Sequence, residues 1–205
     1  MFYRLFGRIA QLIAFVLNGK ALYQNSDRLP LSKNYILVAP NRTWWDSIYL
    51  AIGASPKEFT FMVKEELFKI PVLRFILTRG NAFPVNRLDP KPSTIKIPIK
   101  ILKSKTTSLM MFPTGSRYST DLKGGVALIA KLTKVPIVPA VYQGPITFCQ
   151  LLKRKPIIIR YGDSIDITDI KKMNKEGVTE VERRIQVAFD QLDEEINPYY
   201  KYVIS

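Results

Sequence analysis

Histidine is missing from all 205 residues of this chain. With it goes the side chain most often used to move protons near neutral pH. A single cysteine, Cys149, allows no internal disulfide and fits a reducing compartment. No zinc-ligand spacing occurs, so no metal or bound cofactor is expected. No continuous apolar run reaches the roughly 20 residues that a helix needs to cross a bilayer. Acids are scarce: 17 Asp+Glu stand against 31 Lys+Arg, a net charge of +14. Such a surplus attracts anions, whether phosphorylated substrates, acidic lipid surfaces, acidic carrier proteins or nucleic acid. Internal repeats and low-complexity tracts are absent. So are a base-stacking aromatic ladder and a recognition-helix signature, which leaves charge alone in favour of a nucleic-acid partner.

What is present is enough for one domain with a sizeable core, since 47% of residues are hydrophobic. Residues 1–17 read as an amphipathic helix. Phe2, Leu5, Phe6, Ile9, Leu12, Ile13 and Val16 recur at helical spacing, with Arg4, Arg8 and Gln11 largely elsewhere. It either packs on the core or lies in a membrane interface, and its aromatics and arginines favour the interface. A signal peptide competes, but no small-residue cleavage site follows at Asn18-Gly19-Lys20.

Residues 18–205 read as one α/β domain, a mixed and mostly buried sheet flanked by helices. The turn-rich segment Asn18 to Lys33 is a connector. Strands are expected at Tyr35–Ala39, Phe59–Val63, Asn81–Val85, Leu109–Phe112, Val135–Tyr142 and Ile157–Tyr161. Helices are expected over Ser47–Ala54, from Lys64 until Pro71 interrupts, over Ser93–Lys105 with Pro98 kinking or shortening it, and over Gly125–Thr133. Thr179-Glu-Val-Glu182 has capping-box spacing, and Val181, Ile185, Ala188, Leu192 and Ile196 line one face of the helix it starts.

Four blocks carry the candidate chemistry. Asn41-Arg-Thr-Trp-Trp-Asp46 follows a buried strand and puts an acid five residues after an amide. Gly80-Asn-Ala-Phe-Pro-Val-Asn-Arg87 ends on a guanidinium, and Phe112-Pro-Thr-Gly-Ser-Arg117 joins hydroxyls, a glycine and a guanidinium. The fourth block is Val135-Pro-Ile-Val-Pro139. In order and spacing these resemble the four motifs of the 1-acyl-glycerol-3-phosphate acyltransferase (glycerolipid acyltransferase) family. The resemblance covers roughly Tyr35 to Asp166, with Asn41 at the family's His position and Thr114 at its Glu position. Taken singly, Asp46 also suits a helix cap and the tryptophans suit core anchors.

The resemblance implies acyl transfer from acyl-CoA or acyl-carrier protein to lysophosphatidic acid or a similar acyl-glycerol phosphate, peripherally at the cytoplasmic face of an anionic membrane. Attack on a thioester needs the acceptor hydroxyl deprotonated, which in the family the His does while Asp46's counterpart orients it. Arg87 and Arg117 suit a phosphate because a guanidinium grips it through two parallel bonds. Thr114, Gly115 and Ser116 suit an anion-holding turn. Val135, Pro136 and Ile137 are expected to line an acyl-chain or donor slot. Asn41 cannot accept a proton near neutral pH, so impaired turnover is expected, with a non-catalytic lipid-phosphate or acyl-donor binding protein as the alternative. Its amide is expected to donate to Asp46 as an imidazole would.

Overall fold

The computed structural model describes residues 2–86, 92–114, 122–200 and 202. The expected alternation of strand and helix is there, built on a seven-stranded mixed sheet in the order β1-β7-β6-β2-β5-β3-β4. The strands are β1 (Leu22–Gln24), β2 (Ile36–Val38), β3 (Phe59–Lys64), β4 (Ala82–Val85), β5 (Ser108–Met111), β6 (Ile137–Gln143) and β7 (Ile158–Tyr161). Strands β2 to β6 run parallel, while β7 pairs antiparallel with β6 and parallel with β1.

Helices are α1 (Phe2–Asn18), α2 (Asp46–Gly53), α3 (Pro71–Arg79), α4 (Ser93–Lys103), α5 (Gly125–Thr133), α6 (Phe148–Leu152) and α7 (Lys175–Ile196). Side chains of a strand alternate between faces, and β2 shows it: Ile36 and Val38 join one core, Tyr35, Leu37 and Ala39 the other. Helices α4, α5 and α7 pack on the first face, α1, α2 and α6 on the second.

That division positions the site. Neighbouring strands β2 and β5 are parallel, yet β2 is followed by α2 on one face and β5 by α5 on the other. Where adjacent parallel strands send their connections to opposite faces, a crevice opens at their carboxyl ends. The loops bearing Asn41 and Thr114 leave those two ends.

Several local expectations are corrected. Pro71 opens α3 as its first residue, where a missing N–H costs nothing. Helix α4 runs through Pro98 and ends at Lys103, two residues before the expected Lys105. Helix α7 starts four residues before Thr179, with Asn174 Oδ1 accepting the Gly177 N–H at 3.0 Å. The Asn18–Lys33 connector contains a strand, β1.

Candidate functional site

Asp46 stands at the first residue of α2 and is 2% exposed. Its Oδ2 accepts the N–H groups of Arg42 (2.8 Å) and Thr43 (3.0 Å), and Oδ1 accepts that of Ser47 (2.8 Å). Thr43 Oγ1 reciprocates by accepting the N–H groups of Asp46 (2.9 Å) and Trp45 (3.2 Å). This is capping-box logic: two side chains satisfy each other's main-chain donors and set the loop's exit angle. Burial pushes the Asp46 carboxyl up to about 6, against the lowering effect of the three N–H donors.

The half-buried Asn41 precedes this turn. The expected Asn41–Asp46 hydrogen bond is not formed, and among the described residues Asp46 is bound by main-chain donors alone. The physical reason is local. A helix start offers N–H groups closer to the carboxylate than any side chain five residues back.

Arg42 locks the loop from the other side. It is 7% exposed, and its Nη1 donates to the Tyr142 carbonyl (2.7 Å) and to Asp193 Oδ1 (2.9 Å), while Nη2 donates to Asp193 Oδ2. Burial works against the charge, but the Asp193 carboxylate outweighs it and holds the guanidinium above its ordinary pKa. Gln143 Nε2 donates to Asp193 Oδ1 at 3.0 Å, and the Tyr200 ring lies 5.0 Å from the guanidinium carbon. Tyr202 Oη donates to the Arg42 carbonyl at 3.1 Å. Trp45 is held separately, its Nε1 donating to Tyr142 Oη at 2.9 Å.

Thr114, buried, follows β5, whose Met111 is the register partner of Val38. Asn86 follows β4, parallel to β3, and donates from Nδ2 to Glu65 Oε1 at 3.0 Å. Three of the four blocks therefore leave the same end of the sheet. Arg87, Gly115, Ser116 and Arg117 lie outside the described residues.

The fourth block is elsewhere. Val135 and Pro136 precede β6 at the amino ends of the parallel strands, where the Ile36 N–H donates to the Pro136 carbonyl. Ile137 is fully buried in the core. None of the three is among the residues that line the cavity described next.

The large apolar space is on the opposite face of the sheet from α7. A cavity of about 730 Å³ lies between α1, α2, β3 and α3, lined by Phe6, Ala10, Ile52, Phe61 and Leu77 among others. Ser47 and the exposed Trp44 belong to its wall, so it begins one residue from Asp46. Sequence reasoning missed Arg42, Asp193 and this cavity. Only the Thr43-x-x-Asp46 capping spacing was there to be read.

The sequence profile of the Acyltransferase family matches residues 20–143. A 1-acyl-sn-glycerol-3-phosphate acyltransferase of Streptococcus pneumoniae is 47% identical over 201 residues, which are 98% of this chain and 76% of that protein. One of Bacillus subtilis is 32% identical over 184 residues, covering 88% of this chain and 92% of that protein. The crystal structure of the 1-acyl-sn-glycerophosphate (LPA) acyltransferase PlsC from Thermotoga maritima superposes with a TM-score of 0.73 at 18% identity. It covers 97% of this chain and 81% of that one, a likeness of fold.

Proposed function

This chain belongs to the 1-acyl-sn-glycerol-3-phosphate acyltransferase family, and we propose that it transfers, at a reduced rate, an acyl group from acyl-CoA or acyl-carrier protein to lysophosphatidic acid in phospholipid synthesis. The observation that carries this is the cavity of about 730 Å³ beginning at Ser47, beside the loop of Asn41 and Asp46. An acyl chain seated there presents its polar end to the crevice between β2 and β5. Arg87, Thr114, Gly115, Ser116 and Arg117, which come after β4 and β5 in the sequence, are the phosphate ligands of this reading.

In the reaction the acceptor hydroxyl oxygen bonds to the thioester carbonyl carbon, the carbon–sulfur bond breaks, and the hydroxyl proton ends on the departing thiol. Asn41 supplies no base for that proton. Asp46 is no substitute, because both of its oxygens are committed to main-chain N–H groups. Its role is to hold the turn. Loss of a positioned base typically slows such a step about a hundred- to ten-thousand-fold.

The same two facts favour a second reading, a lipid-phosphate or acyl-donor binding protein without turnover. A titration with lysophosphatidic acid, with ester formation followed on the same sample, separates them. Slow transfer with either donor supports the first, and tight binding without transfer the second. Absence of both would refute each.

We place the chain peripherally on an anionic membrane at the cytoplasmic face, held by α1. Leu5, Ile9, Leu12, Ile13 and Val16 form one exposed stripe along it, while Ala14 and Leu17 pack inward. No helix among the described residues is long and apolar enough to cross a membrane.

A further inference from the structure

Helix α7 ends at Ile196, and the segment after it turns back onto the domain. Asn197 has an extended backbone, and Pro198 follows, a residue without the N–H that a continuing helix needs. The Tyr200 N–H donates to the Asn197 carbonyl at 2.9 Å, and the Tyr199 N–H donates to Asn197 Oδ1 at 3.0 Å. These two bonds make a turn of the kind asparagine favours. Tyr199 is left 89% exposed at its tip, while Tyr200 and Tyr202 are half-buried.

Both half-buried rings come to one residue of the site. The Arg42 guanidinium carbon lies 5.0 Å from the Tyr200 ring centroid and 5.7 Å from that of Tyr202. Tyr202 Oη also donates to the Arg42 carbonyl at 3.1 Å. That carbonyl shares a peptide with the Thr43 N–H, which donates to Asp46. The Arg42 N–H, in the peptide that joins Asn41 to Arg42, donates to Asp46 as well. Arg42 is therefore fixed at both main-chain groups, at one by the capping box and at the other by a residue 160 positions away.

Rings that only covered the core would meet apolar side chains. Tyr200 and Tyr202 meet a cation and a main-chain oxygen. The cation has use for them, because Arg42 Nε is buried and makes no hydrogen bond among the described residues. A ring face attracts such a charge, more strongly where water is excluded.

We infer that Tyr200 and Tyr202 are positioning residues of the acyl-transfer site, holding through Arg42 the loop that brings residue 41 to the crevice. The effect on the loop follows from these contacts, and the effect on rate rests on the acyl-transfer reading above. Displacement of a reacting group by about 1 Å is enough to cost about a hundredfold in rate.

Trp44 and Trp45 are the only tryptophans of the chain, and both stand in this loop. Fluorescence excited where tyrosine does not absorb therefore reports the loop alone. The test compares two pairs of substitutions. Tyr200→Leu/Tyr202→Leu keeps apolar cover but removes the ring faces and the hydroxyls, while Tyr200→Phe/Tyr202→Phe removes the hydroxyls only. Tryptophan anisotropy is expected to decay faster in both, most in the leucine pair. Acyl transfer from a long-chain acyl-CoA to lysophosphatidic acid is measured with each pair placed in the Asn41→His chain. There kcat is expected to fall about tenfold or more in the leucine pair with KM for lysophosphatidic acid unchanged, and the phenylalanine pair regains part of that loss. Tyr199→Ser, at the exposed tip of the same turn, is expected to change neither readout.

Unchanged anisotropy and unchanged kcat in the leucine pair would reduce the segment to surface cover and overturn the inference. So would a loss of rate that only matches a loss of folded protein, with the anisotropy of the folded fraction unaltered. A leucine pair that does not fold leaves the decision to the phenylalanine pair, in which the missing Tyr202 hydroxyl alone should loosen the loop. If the Asn41→His chain itself transfers no acyl group, the transfer reading fails separately. Tryptophan anisotropy then decides the holding role by itself: a loosened loop supports it and an unaltered one overturns it.

Discussion

Arg42 and Asp193, 151 positions apart in the chain, form an ion pair whose side chains are 6% and 17% exposed. It joins the last helix to the loop that presents Asn41. Because the Arg42 N–H also donates to Asp46, the same residue links α7 to the capping box.

Removing one partner of such a pair leaves a buried charge without compensation. Asp193→Ala is expected to destabilise the fold by about 3 kcal/mol, measured by urea unfolding. Amide exchange at Arg42 and Thr43 should quicken in the same variant. The double change Arg42→Met/Asp193→Leu is expected to cost less than Asp193→Ala alone, since it removes both charges. Equal costs would mean that the contact is packing rather than electrostatics.

Asp46 has a pH signature of its own. Its carboxyl is raised from 3.8 to about 6 by burial, so between those values the native chain holds more protons than the unfolded one. Its contribution to stability is therefore complete below about pH 4 and lost as the pH rises through about 6, a change of about 3 kcal/mol. Glu180 and Asp169, with lowered values, act in the opposite sense. The comparison is consequently with Asp46→Asn. The stability difference between the two chains should move against the unmodified one from pH 4 to pH 7. A difference that does not vary with pH would refute the raised value.

Much of the sheet was legible because buried strands announce themselves as apolar runs between turn residues. Ile36–Val38 and Phe59–Lys64 differ from expectation only at their ends. What was not legible depended on partners far along the chain. Leu22–Gln24 is a strand because β7 pairs with it, 136 residues on. Val135-Pro-Ile137 resembles a site motif, but which end of the sheet it occupies is set by strand direction, which its residues do not encode. The capping-box spacing at Thr179 misled because α7 already runs through it. The same spacing at Thr43, not used in the sequence reading, follows non-helical chain and does form the reciprocal bonds.

The cavity can be shortened from its wall. Ala51 of α2 lines it, and Ala51→Phe puts a ring where an acyl chain would lie. Long-chain acyl donors are expected to bind at least about tenfold more weakly while short-chain donors are little affected, as titration of a donor series would show. Equal loss across the series would place the chain elsewhere.

The missing base gives the sharpest expectation. Asn41 leaves the loop's frame intact, because that frame is built from Thr43, Asp46 and Arg42 rather than from residue 41. Asn41→His should therefore fold with the same turn and place an imidazole at the mouth of the crevice. Such a group titrates near 6.5 and accepts a proton at neutral pH, which the amide never does. Turnover is expected to rise by about two orders of magnitude or more, with a new dependence on pH in the range of that group. Lysophosphatidic acid affinity should change by about tenfold at most, or 1.4 kcal/mol, since phosphate recognition is assigned to other residues. Brisk transfer by the unmodified chain would show that another group supplies the base. If Asn41→His binds substrate yet gains no rate, the crevice has lost more than one proton acceptor.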